Sequence, residues 1–517
     1  MWKRVAREFR LSRRCSTYSY VAIRRSSAST DTTKTRSTMR LAVTEPSSPP
    51  IAAVRRRPID LAWASLVILV PVVVALLSRM GTTDLTYHVR AGDGILTTHS
   101  LPRFDTYTFS VYGRPWLDQQ WGAQIVLALG HRHGGWATLA FLQAVLVGAS
   151  FWFVYLACRA RGASVRTSSL LTVVGFLVAS PTLAMRPQLV ALPLFAVALW
   201  ALASREIAPR RLYLIPVLAA VCANVHGSFT IFPLIVGLAW IQDARQHLPG
   251  SRRLLWVALA TVAATLLNPF GVDVWRYAYD LSTNPIIRDT ISEWAPVTAT
   301  DVSGLFMIGS ALAVVAILTR RSTPTRWTTL LWLGVFFMLA MSAQRAIVWW
   351  AMVAPVVLAE LFPAAAAEAT PSGREPKAPA VGIIAAMLVA VVILLPWWRP
   401  NDLLNQAPPG ITSYVLENVP SGARMFVHQP WGSWFEYRTP DIPVFVDSRI
   451  EIIPKNIWED YGQVGFAGAD WKEVLTRWHP DVIVAAANWD LLPDLEAEGS
   501  GWTSVYKDDD GEVFVRS

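Results

Sequence analysis

Residues 59–79 read IDLAWASLVILVPVVVALLSR, and residues 82–90 read TTDLTYHVR. The first stretch is apolar apart from Asp60 near its start, Ser65, and Ser78 and Arg79 at its end. About twenty such residues cross the hydrocarbon core as a helix, so this is a membrane span. The second stretch sets ionisable groups just past it. Asp84 and His88 are four residues apart and share one helical face, while Leu85, Val89 and Leu96 share another. A helix of that kind lies along the membrane surface. A carboxylate at that depth is partly desolvated and calls for a basic partner or a metal. The same residues also fit an Asp that opens a surface helix as its N-cap, with His88 solvated beside it.

The rest of the chain agrees with a membrane setting. Of 517 residues, 53% are apolar and 16% charged, where a soluble chain carries roughly a quarter charged. Cys15, Cys158 and Cys222 lie too far apart for a disulfide framework or a thiolate metal cluster, and the eight histidines show no tight ligand spacing. Apolar windows at 59–79, 136–157, 168–185, 187–203, 212–225, 228–242, 254–268, 302–319, 327–342, 345–362 and 379–397 predict about 11 transmembrane helices. The fifth and sixth meet at Asn224–Ser228 and read as a broken pair. Arginines sort into alternate loops: Arg159, Arg161 and Arg166; Arg205, Arg210 and Arg211; Arg245, Arg252 and Arg253; Arg320, Arg321 and Arg326. The positive-inside rule places these loops and the N-terminus in the cytoplasm, and the C-terminal domain outside. The expected fold is an all-α polytopic membrane protein with a small C-terminal α/β extracytoplasmic domain.

The net charge of +9 divides into +11 over residues 1–57, +9 over 58–399 and −11 over 400–517. Residues 1–57 read as a basic, disordered cytoplasmic tail. Its Arg- and Ser/Thr-rich beginning imitates a mitochondrial transit peptide, and Met39 is an alternative start. Without interleaved aromatics in a folded pattern, the tail is not read as a nucleic-acid binder. Residues 58–399 form the membrane domain, with large outer loops at 81–135 and 269–301 and an inner linker from Pro363 to Pro379. In 400–517, strands are expected at Met425–His428, Val444–Asp447, Asp481–Ala487 and in a hairpin over Thr503–Val515, with helices at 455–464 and 471–478. Asp447, Arg449 and Glu451 alternate as a salt-bridged strand edge or as a substrate-binding rim.

Other residues could carry chemistry on the outer side. Asp105 follows Pro102 in what reads as a structural turn. Trp116 and Trp121 flank Asp118, either as interfacial anchors or as a wall on which a sugar stacks. Arg186, Arg276, Arg288 and Arg345 lie at outer ends of spans, against the charge bias. They either snorkel to headgroups or hold phosphate in bidentate fashion. His226 sits at the broken junction, where non-helical backbone must face protein or water.

The order of these pieces resembles the GT-C superfamily of integral-membrane glycosyltransferases, and within it a bacterial GT-C-like branch. The resemblance covers the chain from about residue 60. It rests on Asp84-Leu85-Thr86-Tyr87-His88 with Gly92, Leu101 to Ser110, Gly113-Arg114-Pro115-Trp116, Arg186-Pro187-Gln188, Asn224-Val225-His226-Gly227, Asn268-Pro269-Phe270-Gly271 and Asp447-Ser448-Arg449. In place of the branch's Asp-x-Asp, Thr82 leaves Asp84 as the single carboxylate of that motif. The resemblance implies inverting transfer of a sugar from a polyprenyl-phosphate donor to an extracytoplasmic glycan, lipid or protein acceptor at the cell membrane. Asp84 would be the general base, with His88 and Asp118 as further catalytic candidates. Arg345, Arg186 and Arg288 would hold the departing phosphate, with His226 and Trp116 in the binding site. A divalent cation is neither demanded nor excluded. A transporter would show inverted repeats and charge at mid-span, and neither is visible. A non-catalytic envelope assembly protein with an outer binding domain is the other alternative.

Overall fold

The computed structural model describes residues 58–80, 83–364 and 407–517, with scattered positions between 382 and 404. The tail 1–57, most of the 363–379 linker and most of the 379–397 window lie outside the described residues, as do the side chains at 288–290. The described residues belong to one compact unit, Arg56–Ser517.

Helices occupy the ten other apolar windows. They are α1 (Pro58–Leu77), α3 (Trp121–Ala160), α4 (Val165–Ala179), α5 (Pro187–Ala203), α6 (Leu214–Ala223), α7 (Ile231–Arg245), α8 (Ser251–Ala264), α11 (Val302–Thr319), α12 (Trp327–Ser342) and α13 (Ile347–Ala359). Helices α2 (Leu85–Thr98), α9 (Asp273–Thr283) and α10 (Pro285–Thr290) lie in the two large loops, and α2 is packed within the protein, with Tyr87, His88, Val89 and Ala91 buried. Among the described residues, five helical stretches are long and apolar enough to cross a bilayer: Ile59–Leu77, Trp121–Ala160, Val165–Thr182, Gly227–Arg245 and Val302–Thr319. Length and composition thus support five crossings, and the expected eleven would need the shorter helices to cross as well. Broken segments account for part of the shortfall. The fifth window yields only the 10 residues of α6 before the chain leaves helical geometry at Asn224–His226.

That break is built by the first large loop. Gly122 N–H donates to the Asn224 carbonyl (2.8 Å), Gln119 Nε2 to the Ala223 carbonyl (2.8 Å) and Trp121 Nε1 to Asn224 Oδ1 (3.1 Å). Irregular backbone is tolerated at a membrane only where such partners exist. The helix α3 is 40 residues long, about 60 Å at 1.5 Å per residue, far more than a bilayer core requires. It kinks at Gly134–Gly135, where Gly135 takes φ 62° and ψ −153°, a conformation side chains exclude. The spanning part therefore starts at Trp136, and Trp121–His133 remains in the loop beneath α2. A Cβ on Gly92 of α2 would lie 2.1 Å from the Gln124 carbonyl oxygen, so glycine is what lets these helices meet.

At the other end of the bundle, Arg161, Glu206, Gln246, Arg321 and Arg326 line one pocket of about 460 Å³. The Arg-rich loops that the sequence assigns to one side thus share one face.

The C-terminal residues form a four-stranded sheet of order β1-β2-β4-β3, with β1 (Met425–Val427) parallel to β2 (Val482–Ala486). Strand β4 (Gly511–Arg516) runs antiparallel to both β2 and β3 (Trp502–Lys507). Helices Lys455–Gly465 and Trp471–Trp478 fall where expected; Pro409–Asn418 and Gln429–Arg438 are additional. The expected strand Val444–Asp447 is a correction. Only Val444 pairs, bridging Met425 on one side and Thr108 on the other. Asp447 Oδ1 then accepts from the Arg449 backbone N–H (2.6 Å), which turns the chain out of extended geometry.

This sheet does not close its own core. Tyr87 and Ala91 of α2, Val111 and Trp116 of the first loop, and Ile287 of the second pack with Phe426, Phe445 and Phe514. Burying each large side chain contributes roughly 1.5–3 kcal/mol. A fully buried ion cluster joins the same parts. The Arg449 guanidinium bonds Asp105 Oδ1 (2.5 Å) and Asp447, with Glu436 Oε1 at 3.6 Å. It stacks on Tyr107 and Trp116, at 4.5 and 4.6 Å from their ring centres. Asp105 is structural, as the sequence suggests: it also caps the turn through Thr108 Oγ1 (2.7 Å). Asp447 and Arg449 belong to this cluster, so the alternating rim of the sequence reading reduces to Glu451.

Candidate functional site

One cavity of about 690 Å³ lies where α2, the second large loop, the α6–α7 and α12–α13 breaks and the C-terminal domain meet. Asp84, His88, Arg186, His226 and Arg345 all line it. These are five of the eight residues that sequence reasoning selected.

Asp84 occupies the N-cap position of α2, yet its side chain makes no capping hydrogen bond. Its Oδ2 lies 3.7 Å from Arg186 Nε, and its Oδ1 is buried without a hydrogen-bond partner among the described residues. Burial alone would raise this carboxyl. Arg186, His88 and Arg345 outweigh it and hold Asp84 below the usual carboxylate range, so it is ionised at neutral pH. The basic partner is therefore Arg186 rather than His88. His88 is 1% exposed, and burial pushes its imidazole down to about 4 against the pull of Asp84.

Behind His88 lies a buried relay. Gln124 Nε2 donates to Asp118 Oδ1 (2.7 Å) and stands 3.4 Å from His88 Nδ1. Asp118 is 3% exposed and is not part of the cavity wall; burial pushes it up to about 7. Trp116 is likewise away from the cavity, under Arg449. The side chain of Arg288 lies outside the described residues, and its neighbour Ile287 reaches the wall.

The cationic floor comes from broken helices. Arg186 follows Met185 in extended backbone just before α5, and its guanidinium forms a two-point ion pair with Glu293 of the second loop. Arg345 lies in the short turn Gln344–Ala346 between α12 and α13, whose position is held by Gln188 Nε2 on the Arg345 carbonyl (3.1 Å). Its guanidinium stacks 4.6 Å from the Trp294 ring centre, and among the described residues it has no carboxylate partner. Arg345 Nη2 lies 3.3 Å from His226 Nε2. The Ser228 N–H donates to His226 Nδ1 (3.1 Å), which leaves the proton of the neutral ring on Nε2. Two donors thus face one another with no acceptor between them. An anionic oxygen is the group that satisfies both.

Sequence reasoning missed Glu293, Trp294 and Tyr277. Tyr277 donates to Glu451 Oε1 (3.3 Å), and burial raises Glu451 above its usual range. The signal was limited to an acid and aromatics in a large outer loop. For a divalent cation the donor set does not fit. Asp84 is flanked by Arg186, and among the described residues no three His, Cys, Asp or Glu side chains gather in a metal-binding group.

No known family model matches the sequence, and no curated protein matches it in sequence. Solved structures resemble its fold. The oligosaccharyltransferase of Archaeoglobus fulgidus in its apo form matches with a TM-score of 0.56 and 14% identity, over 89% of this chain and 75% of that one. The oligosaccharyltransferase AglB of the same organism, in complex with an inhibitory peptide and a dolichol-phosphate, matches with a TM-score of 0.56 and 15% identity over the same shares. The mycobacterial arabinofuranosyltransferase AftD matches with a TM-score of 0.52 and 16% identity, over 89% of this chain and 42% of that one. The chain thus shares its fold with these solved transferases.

Proposed function

We propose that the protein is a membrane glycosyltransferase that moves a sugar from a polyprenyl-phosphate donor to an acceptor outside the cytoplasm, with inversion. The observation that carries this reading is the cavity itself. It joins an ionised carboxylate oxygen that has no hydrogen-bond partner among the described residues to a guanidinium that has no ion-pair partner among them and faces an imidazole N–H. The first suits a hydroxyl about to lose its proton, and the second suits a leaving phosphate. The fold neighbour AglB was solved with a dolichol-phosphate, which supports a lipid-phosphate donor here.

Asp84 Oδ1 takes the proton of the acceptor hydroxyl while its oxygen attacks the anomeric carbon. The bond from that carbon to the phosphate oxygen breaks on the opposite face, and its electron pair leaves with the polyprenyl phosphate. Arg345 and His226 Nε2–H receive the added charge. Arg186 keeps Asp84 ionised. Asp118, acting through Gln124, positions His88 beside Asp84 rather than touching substrate. Glu451 is the second reading for the base, favoured by its raised carboxyl and its place in the wall.

The test is transfer of a radiolabelled sugar from polyprenyl-phosphate donors by the full chain in nanodiscs, with Asp84→Asn and Glu451→Gln beside the wild type. Loss in Asp84→Asn alone supports the assignment, loss in Glu451→Gln alone moves the base, and activity in both refutes a carboxylate base here. The orientation, with residues 1–57 inside and 400–517 outside, is part of the proposal and rests on the arginine asymmetry.

A further inference from the structure

One wall of the cavity is not used by the transfer chemistry and belongs wholly to the C-terminal domain. His428 follows the carboxyl end of β1, and Trp489 lies three residues past that of β2. These two strands are the parallel pair. Ligands of open α/β sheets sit outside the carboxyl ends of parallel strands, where the loops leave the sheet. Helix Lys455–Gly465 and the residue after it add Trp458, Tyr461 and Phe466.

Rings and unpaired polar atoms mix in this wall. Among the described residues, Trp458 Nε1 and His428 Nδ1 are buried without a hydrogen-bond partner, a costly state unless a ligand supplies one. Phe466, 74% exposed, presents its ring at the rim of this wall. Tyr461 and Trp489 stack on each other and on Phe426, which fixes the wall rigidly on the core. The domain carries a charge of −11 over residues 400–517, so a polyanion is repelled. A peptide docking by strand addition needs a free edge beside the wall. The outer edge of β1 is taken: Met425 N–H bonds the Pro443 carbonyl (3.0 Å), and Phe445 N–H bonds that of Met425 (2.9 Å). Aromatic faces beside unpaired polar nitrogens suit a ligand with an apolar face and a rim of hydroxyls.

We infer that this wall is the acceptor subsite and that the acceptor is a neutral saccharide. The inference rests on the proposed glycosyl transfer, but its test does not. The full chain in nanodiscs, without donor lipid, is applied to an array of neutral oligosaccharides and an array of peptides; farnesyl phosphate binding is measured separately. Binding of at least one neutral glycan is expected. Its Kd should rise roughly two- to tenfold in Trp458→Phe, which loses one hydrogen bond. A similar rise is expected in Phe466→Ala, where the ring is exposed and folding is not at stake. Binding of peptides alone, or of neither array, overturns the inference, as does glycan binding unaltered in both variants. Failure to bind farnesyl phosphate with glycan binding intact instead counts against the donor half of the proposed function.

Discussion

Replacing Arg345 isolates the phosphate-binding half of the mechanism. Its guanidinium lacks a carboxylate partner among the described residues, and its Nη2 shares an acceptor position with His226 Nε2. A charge-assisted hydrogen bond contributes about 1.5–3 kcal/mol, which corresponds to roughly 10- to 150-fold in Kd. Arg345→Ala should weaken farnesyl phosphate binding by that factor in nanodiscs, read by calorimetry. Arg345→Lys should weaken it less, since it keeps the charge and loses the fork. Farnesol, which lacks the phosphate, should bind both variants as it binds the wild type. Stability is a minor concern. The stacking of Arg345 on Trp294 is worth about 0.5–1 kcal/mol at an exposed site, somewhat more where desolvated. If both variants bind farnesyl phosphate within about twofold of the wild type, a margin well under one such bond, Arg345 does not hold phosphate and the donor-side argument fails.

Further outcomes follow from the same geometry. Asp84→Asn should lower transfer by at least roughly two orders of magnitude with little change in thermal unfolding, because the Asp84 side chain caps nothing. With Asp84 as base, kcat/KM should show no acid limb above the ordinary Asp value of 3.8, since its carboxyl is lowered and deprotonation is lost only below that. An acid limb above 4.5, the ordinary Glu value, that disappears in Glu451→Gln would mark Glu451 instead. Asp105→Ala removes one partner of a fully buried guanidinium and should destabilise by about 3–5 kcal/mol in unfolding of the full chain; a loss below about 1 kcal/mol, the scale of an exposed pair, would contradict that reading. Reporter fusions at Ser372 and Ser517 should lie on opposite sides of the membrane, and equal signals would refute the orientation.

The residues legible in sequence were those whose local setting was unusual. Arg186 and Arg345 stood out as cations against the charge bias, His226 as a polar residue in an apolar run, and Asp84 as an acid at a span boundary. Their partners were not legible, because Glu293 meets Arg186 from 107 positions away and no spacing rule reaches that far. Trp116 and Asp118 looked like site residues for the same reason that they are buried: aromatics and acids in a loop signal either a ligand or a tertiary partner. The partners proved to be Arg449 and Gln124. Val444–Asp447 failed as a strand because alternation cannot register a side chain, here Asp447, that bonds its own backbone two residues on.

The buried Arg449 cluster bears on why the domain and the site belong to one unit. Replacing a buried ion group with apolar residues is often neutral or stabilising, so stability alone does not explain it. Its geometry does more. Arg449 comes from the C-terminal domain and grips Asp105 and Trp116 of the first large loop. Two residues past Trp116, Asp118 holds Gln124, and Gln124 reaches His88 beside Asp84. Three residues past Trp116, Gln119 fastens the break that presents His226. A directional ion cluster fixes the register of residues 105–119 where packing alone would let the loop slide. Both halves of the proposed chemistry, the carboxylate on α2 and the anion site at the α6–α7 break, hang from that one loop. The domain that supplies the aromatic wall therefore also sets the position of the groups it faces across the cavity.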